Sequence, residues 1–162
     1  DFEKIKKFCD KKNIIFFSTP FDIESVTFLE KLKVKLYKVA SFDISNYQLL
    51  RRIILTKKPT IISTGMAKLN EIEKTYNLFK RKKINLALLH CISSYPNKDE
   101  TSYLSNIEFL KKNFNCSIGF SDHTTGSLSA CIAASLGATI FEKHIILIVI
   151  RFYLFIFYFL SK

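Results

Sequence analysis

The chain has 162 residues, 48% of them hydrophobic, and a formal net charge of +11 from 25 basic and 14 acidic residues. That apolar content excludes a disordered polypeptide and fits one packed domain with a real core. The basic excess would suit an anionic partner, but its lysines scatter over helix ends and turns (Lys57, Lys58, Lys80, Lys82, Lys83, Lys111, Lys112) without a recognition motif, so no nucleic-acid partner is expected.

Lys, Ile, Phe, Asn and Tyr are jointly over-used, as in a chain coded by AT-rich DNA. The four cysteines, Cys9, Cys91, Cys116 and Cys131, form no CxxC pair and no metal-ligand spacing. Reduced thiols and a cytoplasmic location are the expectation.

In chain order, Asp1 to Lys12 reads as the end of an amphipathic helix running into a strand at Ile14–Ser18. The chain is therefore expected to begin inside a larger fold. Asp22 caps a helix with apolar positions Val26, Leu29 and Leu32, and Leu36–Ala40 reads as the next strand. Tyr47–Leu55 is helical, with Arg51 and Arg52 outward; Pro59 stops the connection before a strand at Thr60–Ser63. Leu69, Ile72, Tyr76 and Phe79 make one helical face, with acidic residues in the first turn and lysines in the last. A strand at Leu86–Leu89 follows, then a helix through Leu104, Ile107 and Leu110, a strand from Ile118, a helix over Leu128–Leu136, and a strand at Thr139–Phe141.

About six strands alternate with helices, which predicts a parallel sheet, either doubly wound or closed into a barrel. Every strand ends in polar or ionisable residues: Ser18-Thr19, Lys38 to Ser41, Ser63 to Gly65, His90-Cys91 with Ser93, Ser121 to His123, and Glu142 to His144. A doubly wound sheet concentrates chemistry at one switch point, whereas a (β/α)₈ barrel carries it at every carboxyl end. The expected fold is thus an α/β, (β/α)₈ TIM barrel. Because parallel strands exit on one side, His123 and His144 are expected to meet there and hold a divalent metal. Asp122 would support them from behind, and His90, set back from the strand exit, is expected to be structural.

The segments FFSTPFD (Phe16–Asp22), YKVASFD (Tyr37–Asp43), IISTGM (Ile61–Met66), LLHCISSYP (Leu88–Pro96), GFSDHTTG (Gly119–Gly126) and FEKH (Phe141–His144) resemble successive strand exits of the sialic acid synthase family. They come in that family's order and near its spacing, over residues 1–144. The family includes pseudaminic and legionaminic acid synthases. The resemblance implies condensation of phosphoenolpyruvate with an N-acetylmannosamine-type sugar aldehyde to a nonulosonic acid, with release of phosphate. It implies a divalent metal, Mn²⁺ or Mg²⁺, and a homodimer in which a small antifreeze-like domain reaches into the partner's site.

Phosphoenolpyruvate carries a phosphate and a carboxylate, so its site needs a cation and small donors. Lys38 suits the cation, and Thr19, Ser41 and Ser63 the donors; the resemblance puts phosphate on these four. It further implies contacts of Ser93 and Ser121 to phosphoenolpyruvate and of Tyr95 to the sugar. Asp43 stands where the family more usually has Glu, a residue that assists proton movement; the shorter arm sets its carboxylate back by about one bond.

Two departures accompany the match. The family's first two strands, which supply an acidic and a basic site residue, have no counterpart, so residues 1–144 are expected to be an incomplete barrel of about strands 3 to 8. Such a piece should be left with open strand edges at Ile14 and Thr139. After FEKH comes an atypical hydrophobic tail, residues 145–162, expected to lie outside the family fold. It is nearly long enough to cross a bilayer, at about 20 residues, but Arg151 at its centre would cost about 2.5 to 3.5 kcal/mol there, so a membrane anchor is not the expectation. The rival functions are a catalytically dead, membrane-tethered barrel remnant and another metal-dependent aldolase with a pyruvate-type donor.

Overall fold

The structure, a computed structural model, describes the backbone of residues 1–147 and 150–159 and the side chains of residues 1–144. The chain forms two compact units, one of Asp1–Ile62 with Ala67–Leu86, the other of Ser63–Met66 with the described chain from Ala87 onward.

In the first unit helices α1 (Phe2–Lys11), α2 (Ile23–Lys31), α3 (Tyr47–Leu55) and α4 (Leu69–Arg81) alternate with strands β1 (Tyr37–Val39) and β2 (Thr60–Ser63). The carboxylate of Asp22 accepts from Ser25 N at 2.6 Å, which starts α2 where the sequence indicated. Asn46 does the same for α3 through Leu49 N at 3.2 Å. The apolar spacing then turns Val26 and Leu29 of α2, Leu49, Leu50, Ile53 and Ile54 of α3, and Ile72, Tyr76 and Phe79 of α4 into the core. Leu69 lies off that buried face and stays 44% exposed. β1 and β2 pair in parallel, Lys38 opposite Ile61, and every residue of both is buried, as expected for parallel strands covered on both faces.

The expected strand at Ile14–Ser18 is not one. Residues 14–20 belong to no helix or strand, and Ile14 and Ile15 remain 56% and 50% exposed. An apolar run becomes a strand only through a ladder that also buries it, and these two side chains are not buried.

In the second unit β3 (Leu86–Cys91), β4 (Ser117–Asp122) and β5 (Ile140–Leu147) are parallel neighbours, linked by α5 (Ser105–Asn113) and α6 (Leu128–Ser135). The alternation of parallel strands and helices agrees with the α/β class read from sequence. Gly119 is required where β4 meets β5: a Cβ there would lie 2.3 Å from the carbonyl oxygen of Ile140. The hydrophobic tail supplies β6 (Ile150–Phe159), antiparallel to β5 from Ile140↔Phe159 to Leu147↔Ile150. The β5 edge expected to be open is thus paired. Residues 148, 149 and 160–162 of the tail lie outside the described residues. Among the described residues no helix is long and apolar enough to cross a membrane.

Candidate functional site

β4 and β5 set the geometry through their register. Ser121 stands opposite Glu142 and Asp122 opposite Lys143. Side chains alternate along a strand, so Ser121 and His123 share one side with Glu142 and His144, while Asp122 and Lys143 share the other. The rings of His123 and His144 come together with centroids 4.3 Å apart at 62°. Ser121 Oγ donates to Glu142 Oε1 at 2.9 Å, and His144 Nε2 lies 3.2 Å from the same oxygen. One ligand atom from each of His123, Glu142 and His144 falls within 4.8 Å of the others, close enough for all three to reach one ion.

The ring of His123 is fixed by its surroundings. Nδ1 is 2.6 Å from the carbonyl oxygen of Ile92, which can only accept, so the proton sits on Nδ1 and Nε2 is left as the lone-pair nitrogen, 3.1 Å from Ser121 Oγ, whose one proton goes either to it or to Glu142. Burial, and next the neighbouring His144, push its pKa down to about 4, against the pull of the Ile92 carbonyl and of Glu142 and Asp122. A neutral imidazole with an inward lone pair is the form that ligates a metal. Two imidazole nitrogens and a carboxylate oxygen form a donor set that suits a divalent metal ion.

The exit of β3 closes one side. Tyr95 stacks on His123, centroids 4.0 Å apart, and lies 5.1 Å from His144, with half its surface exposed. Asn97 N donates to the carbonyl oxygen of His123 at 2.9 Å, which ties this loop to the β4 exit. Ser93 is exposed on the same loop. Ser63, at the end of β2, is 3% exposed, and its Oγ has no hydrogen-bond partner among the described residues. Gly65 beyond it cannot be larger, because a Cβ would sit 2.5 Å from both the carbonyl oxygen and Sγ of Cys91.

Thr19, Lys38, Ser41 and Asp43 belong to the first unit. Lys38 is buried in β1, its ammonium donating to the Val39 carbonyl at 3.2 Å. Ser41 and Asp43 sit buried in the 3₁₀ turn that follows. Asp43 Oδ1 accepts from Asn46 Nδ2 at 3.1 Å, while Oδ2 is buried without a hydrogen-bond partner among the described residues. Thr19 is half-buried.

The second unit thus brings His123, His144, Ser121 and Tyr95 into one cluster. It adds Glu142, which sequence reasoning missed although the i, i+2 spacing of Glu142 and His144 on a strand was the available signal. Asp122 bonds to Thr124 and Lys143. His90 sits in the core, Nε2 2.7 Å from the Ser102 carbonyl oxygen, its pKa lowered by burial. A cleft of about 800 Å³ opens elsewhere, at the amino ends of β4 and β5 beside Lys111, Ser117 and Thr139, so volume does not mark the chemistry.

The chain is 42% identical over 137 residues to the N,N'-diacetyllegionaminic acid synthase of Campylobacter jejuni, covering 83% of this chain and 41% of that protein. The pseudaminic acid synthase of the same organism is also 42% identical over 137 residues, covering 84% and 40%. Among solved structures, the N-acetylneuraminic acid synthetase of Leptospira borgpetersenii superposes with a TM-score of 0.85 at 39% identity, over 88% of this chain and 50% of that one. The chain spans about two fifths of the length of the curated relatives it matches. With residues 1–149 matching the family's pattern, the chain belongs to the NeuB family.

Proposed function

We propose that this chain is the metal-binding part of an enzyme that condenses phosphoenolpyruvate with an N-acetylmannosamine-type sugar aldehyde, forming a nonulosonic acid and releasing phosphate. The observation that carries this reading is the His123, Glu142 and His144 cluster beneath Tyr95 in a chain of this family. In this reading β1–β5 are the fourth to eighth strands of a (β/α)₈ barrel, with Ile14–Ser18 at the third position, and the tail from residue 145 is additional to that fold.

His123 and His144 would hold a divalent ion, with Glu142 as the adjacent carboxylate, and such an ion would supply Lewis-acid polarisation at the aldehyde oxygen. Lys38, Thr19, Ser41 and Ser63 bind the phosphate and carboxylate of phosphoenolpyruvate, with Ser93 and Ser121 as further donors. Tyr95 lines the sugar, and Asp43 gives or takes a proton at the reacting centre. The whole protein works as a homodimer.

The test is phosphate release from phosphoenolpyruvate with an N-acetylmannosamine acceptor, before and after chelation and with Mn²⁺ restored. Turnover that needs the acceptor, stops with chelator and is lost in His123→Ala supports the reading. Acceptor-dependent turnover that survives complete metal removal overturns the metal role.

A further inference from the structure

The other side of β4 and β5 carries a second, differently built cluster. Lys143 Nζ lies 2.6 Å from Asp122 Oδ2, 2.7 Å from the carbonyl oxygen of Thr124 and 2.6 Å from that of Gly126. An ammonium has three N–H donors, and three short bonds use all of them. The Asp122 side chain is 1% exposed, and its Oδ1 accepts from both N and Oγ1 of Thr124 at 2.8 Å. These acceptors, at 122, 124 and 126, bracket His123 along the chain. The loop continues through exposed residues 125–127.

We propose that Lys143 is a positioning residue for the metal centre: its ammonium latches the β4 exit loop onto β5 and holds His123 at ligating distance from His144. The inference rests on the metal reading above. Three independent ties then converge on His123. Its ring is oriented by the Ile92 carbonyl, its own carbonyl is held by Asn97 N, and its flanking backbone is held by Lys143. Lys143 and His144 are consecutive on β5, so the strand that presents one ligand also anchors the segment that presents the other. Stability alone is a poor reason for the pair, since apolar residues often replace a buried ion pair without loss. A compact ammonium also suits three diverging acceptors, whereas a planar guanidinium does not.

The experiment uses Lys143→Met and Asp122→Asn in the full-length protein, with two readouts. Amide hydrogen exchange on the metal-free protein should be at least about tenfold faster over residues 123–127 in Lys143→Met, with β3 and β4 unchanged. Mn²⁺ titration followed by electron paramagnetic resonance should show affinity weakened about 10- to 100-fold in both variants; the melting temperature should fall in Lys143→Met, which leaves the buried Asp122 carboxylate without its cation, and less in Asp122→Asn, whose ammonium partner is a quarter exposed. Unchanged exchange removes the latch. Faster exchange with parental Mn²⁺ affinity removes the positioning role. A parent protein that binds no Mn²⁺ removes the metal reading and this inference with it, and the exchange data still report separately whether the latch exists. If neither variant folds, the pair is structural and the positioning role is rejected.

Discussion

Ser121 and Glu142 face each other across β4 and β5, and the serine hydroxyl donates to the buried glutamate at 2.9 Å. The bond locks the register that sets His123 beside His144, and it keeps a carboxylate within reach of both rings. Glu142→Gln retains the shape and removes the charge. It should weaken Mn²⁺ binding about 10- to 100-fold, less than the complete loss expected for His144→Ala. Calorimetric titration of the three proteins separates these outcomes, and parental affinity in Glu142→Gln would exclude the carboxylate from the metal centre.

The depressed pKa of His123 makes metal-free stability depend on pH with a defined sign. The folded ring titrates at about 4 and the unfolded ring near 6.5. Below pH 6.5 the unfolded chain takes up a proton that the folded chain refuses, so this group's contribution to stability falls as pH drops to 4 and then levels. The full change is up to about 3 kcal/mol, and above pH 6.5 the group adds no slope. Urea denaturation at several pH values should show the slope in the parent and lose it in His123→Gln. An unchanged slope in the variant would assign it to other groups.

Much of this was legible in the sequence, for reasons that differ by residue. Asp22 and the strand at Thr60–Ser63 were readable because capping and continuous burial are local. The meeting of His123 and His144 was readable because parallel connection fixes which strand ends are neighbours. The contacts of Glu142 with Ser121 and of Lys143 with Asp122 depend on the register between two strands, which neither strand states alone. The segment at Ile14 was misread because apolar content signals burial, and Ile14 and Ile15 have little of it. The hydrophobic tail carried no strand expectation, yet it forms β6, because backbone pairing with β5 does not require an alternating pattern.

Lys38 separates the two substrates. Its buried ammonium belongs to the proposed phosphate site, so Lys38→Ala should raise KM for phosphoenolpyruvate at least about tenfold and leave KM for the sugar within about twofold. Steady-state kinetics with each substrate varied in turn would decide it. Equal losses for both substrates would count against the assignment.

Gly119 ties the strand register to the chemistry. Alanine there would put its Cβ 2.3 Å from the Ile140 carbonyl oxygen and 2.9 Å from Ile140 Cβ, so the β5 backbone or side chain must move. Gly119→Ala should cost about 1 to 3 kcal/mol or more, and it should weaken Mn²⁺ binding because Glu142 and His144 follow on the displaced strand. Gly126→Ala is the control, since a Cβ at that position meets nothing within 4 Å. Denaturation and Mn²⁺ titration on the same preparations check both halves. Gly119→Ala with parental stability and affinity would show that β5 tolerates the shift.

Residues 1–162 expressed alone should bind themselves before they bind substrate. On α1, Phe2, Ile5 and Phe8 are 45%, 50% and 60% exposed, and Ile14 and Ile15 continue the apolar surface. Phe2 stacks edge-on against Phe16 and Phe28, but none of the side chains of α1 is buried. A contiguous patch of this kind drives association in water. β6 covers the edge of β5 by antiparallel pairing, but it stands last in the sheet and so offers its own outer edge for strand addition. Association is expected through α1, with strand addition at β6 as the alternative route that a double substitution on α1 would leave intact. Light scattering on the 1–162 chain should show concentration-dependent oligomers, and Ile5→Lys with Phe8→Lys should shift it toward monomer without lowering Mn²⁺ affinity, since α1 and the histidines belong to different units. Phosphate release from phosphoenolpyruvate should be absent in both forms. A monomeric parent chain, or oligomers indifferent to the double substitution, would move the association surface elsewhere, and turnover by residues 1–162 would make this segment sufficient for catalysis.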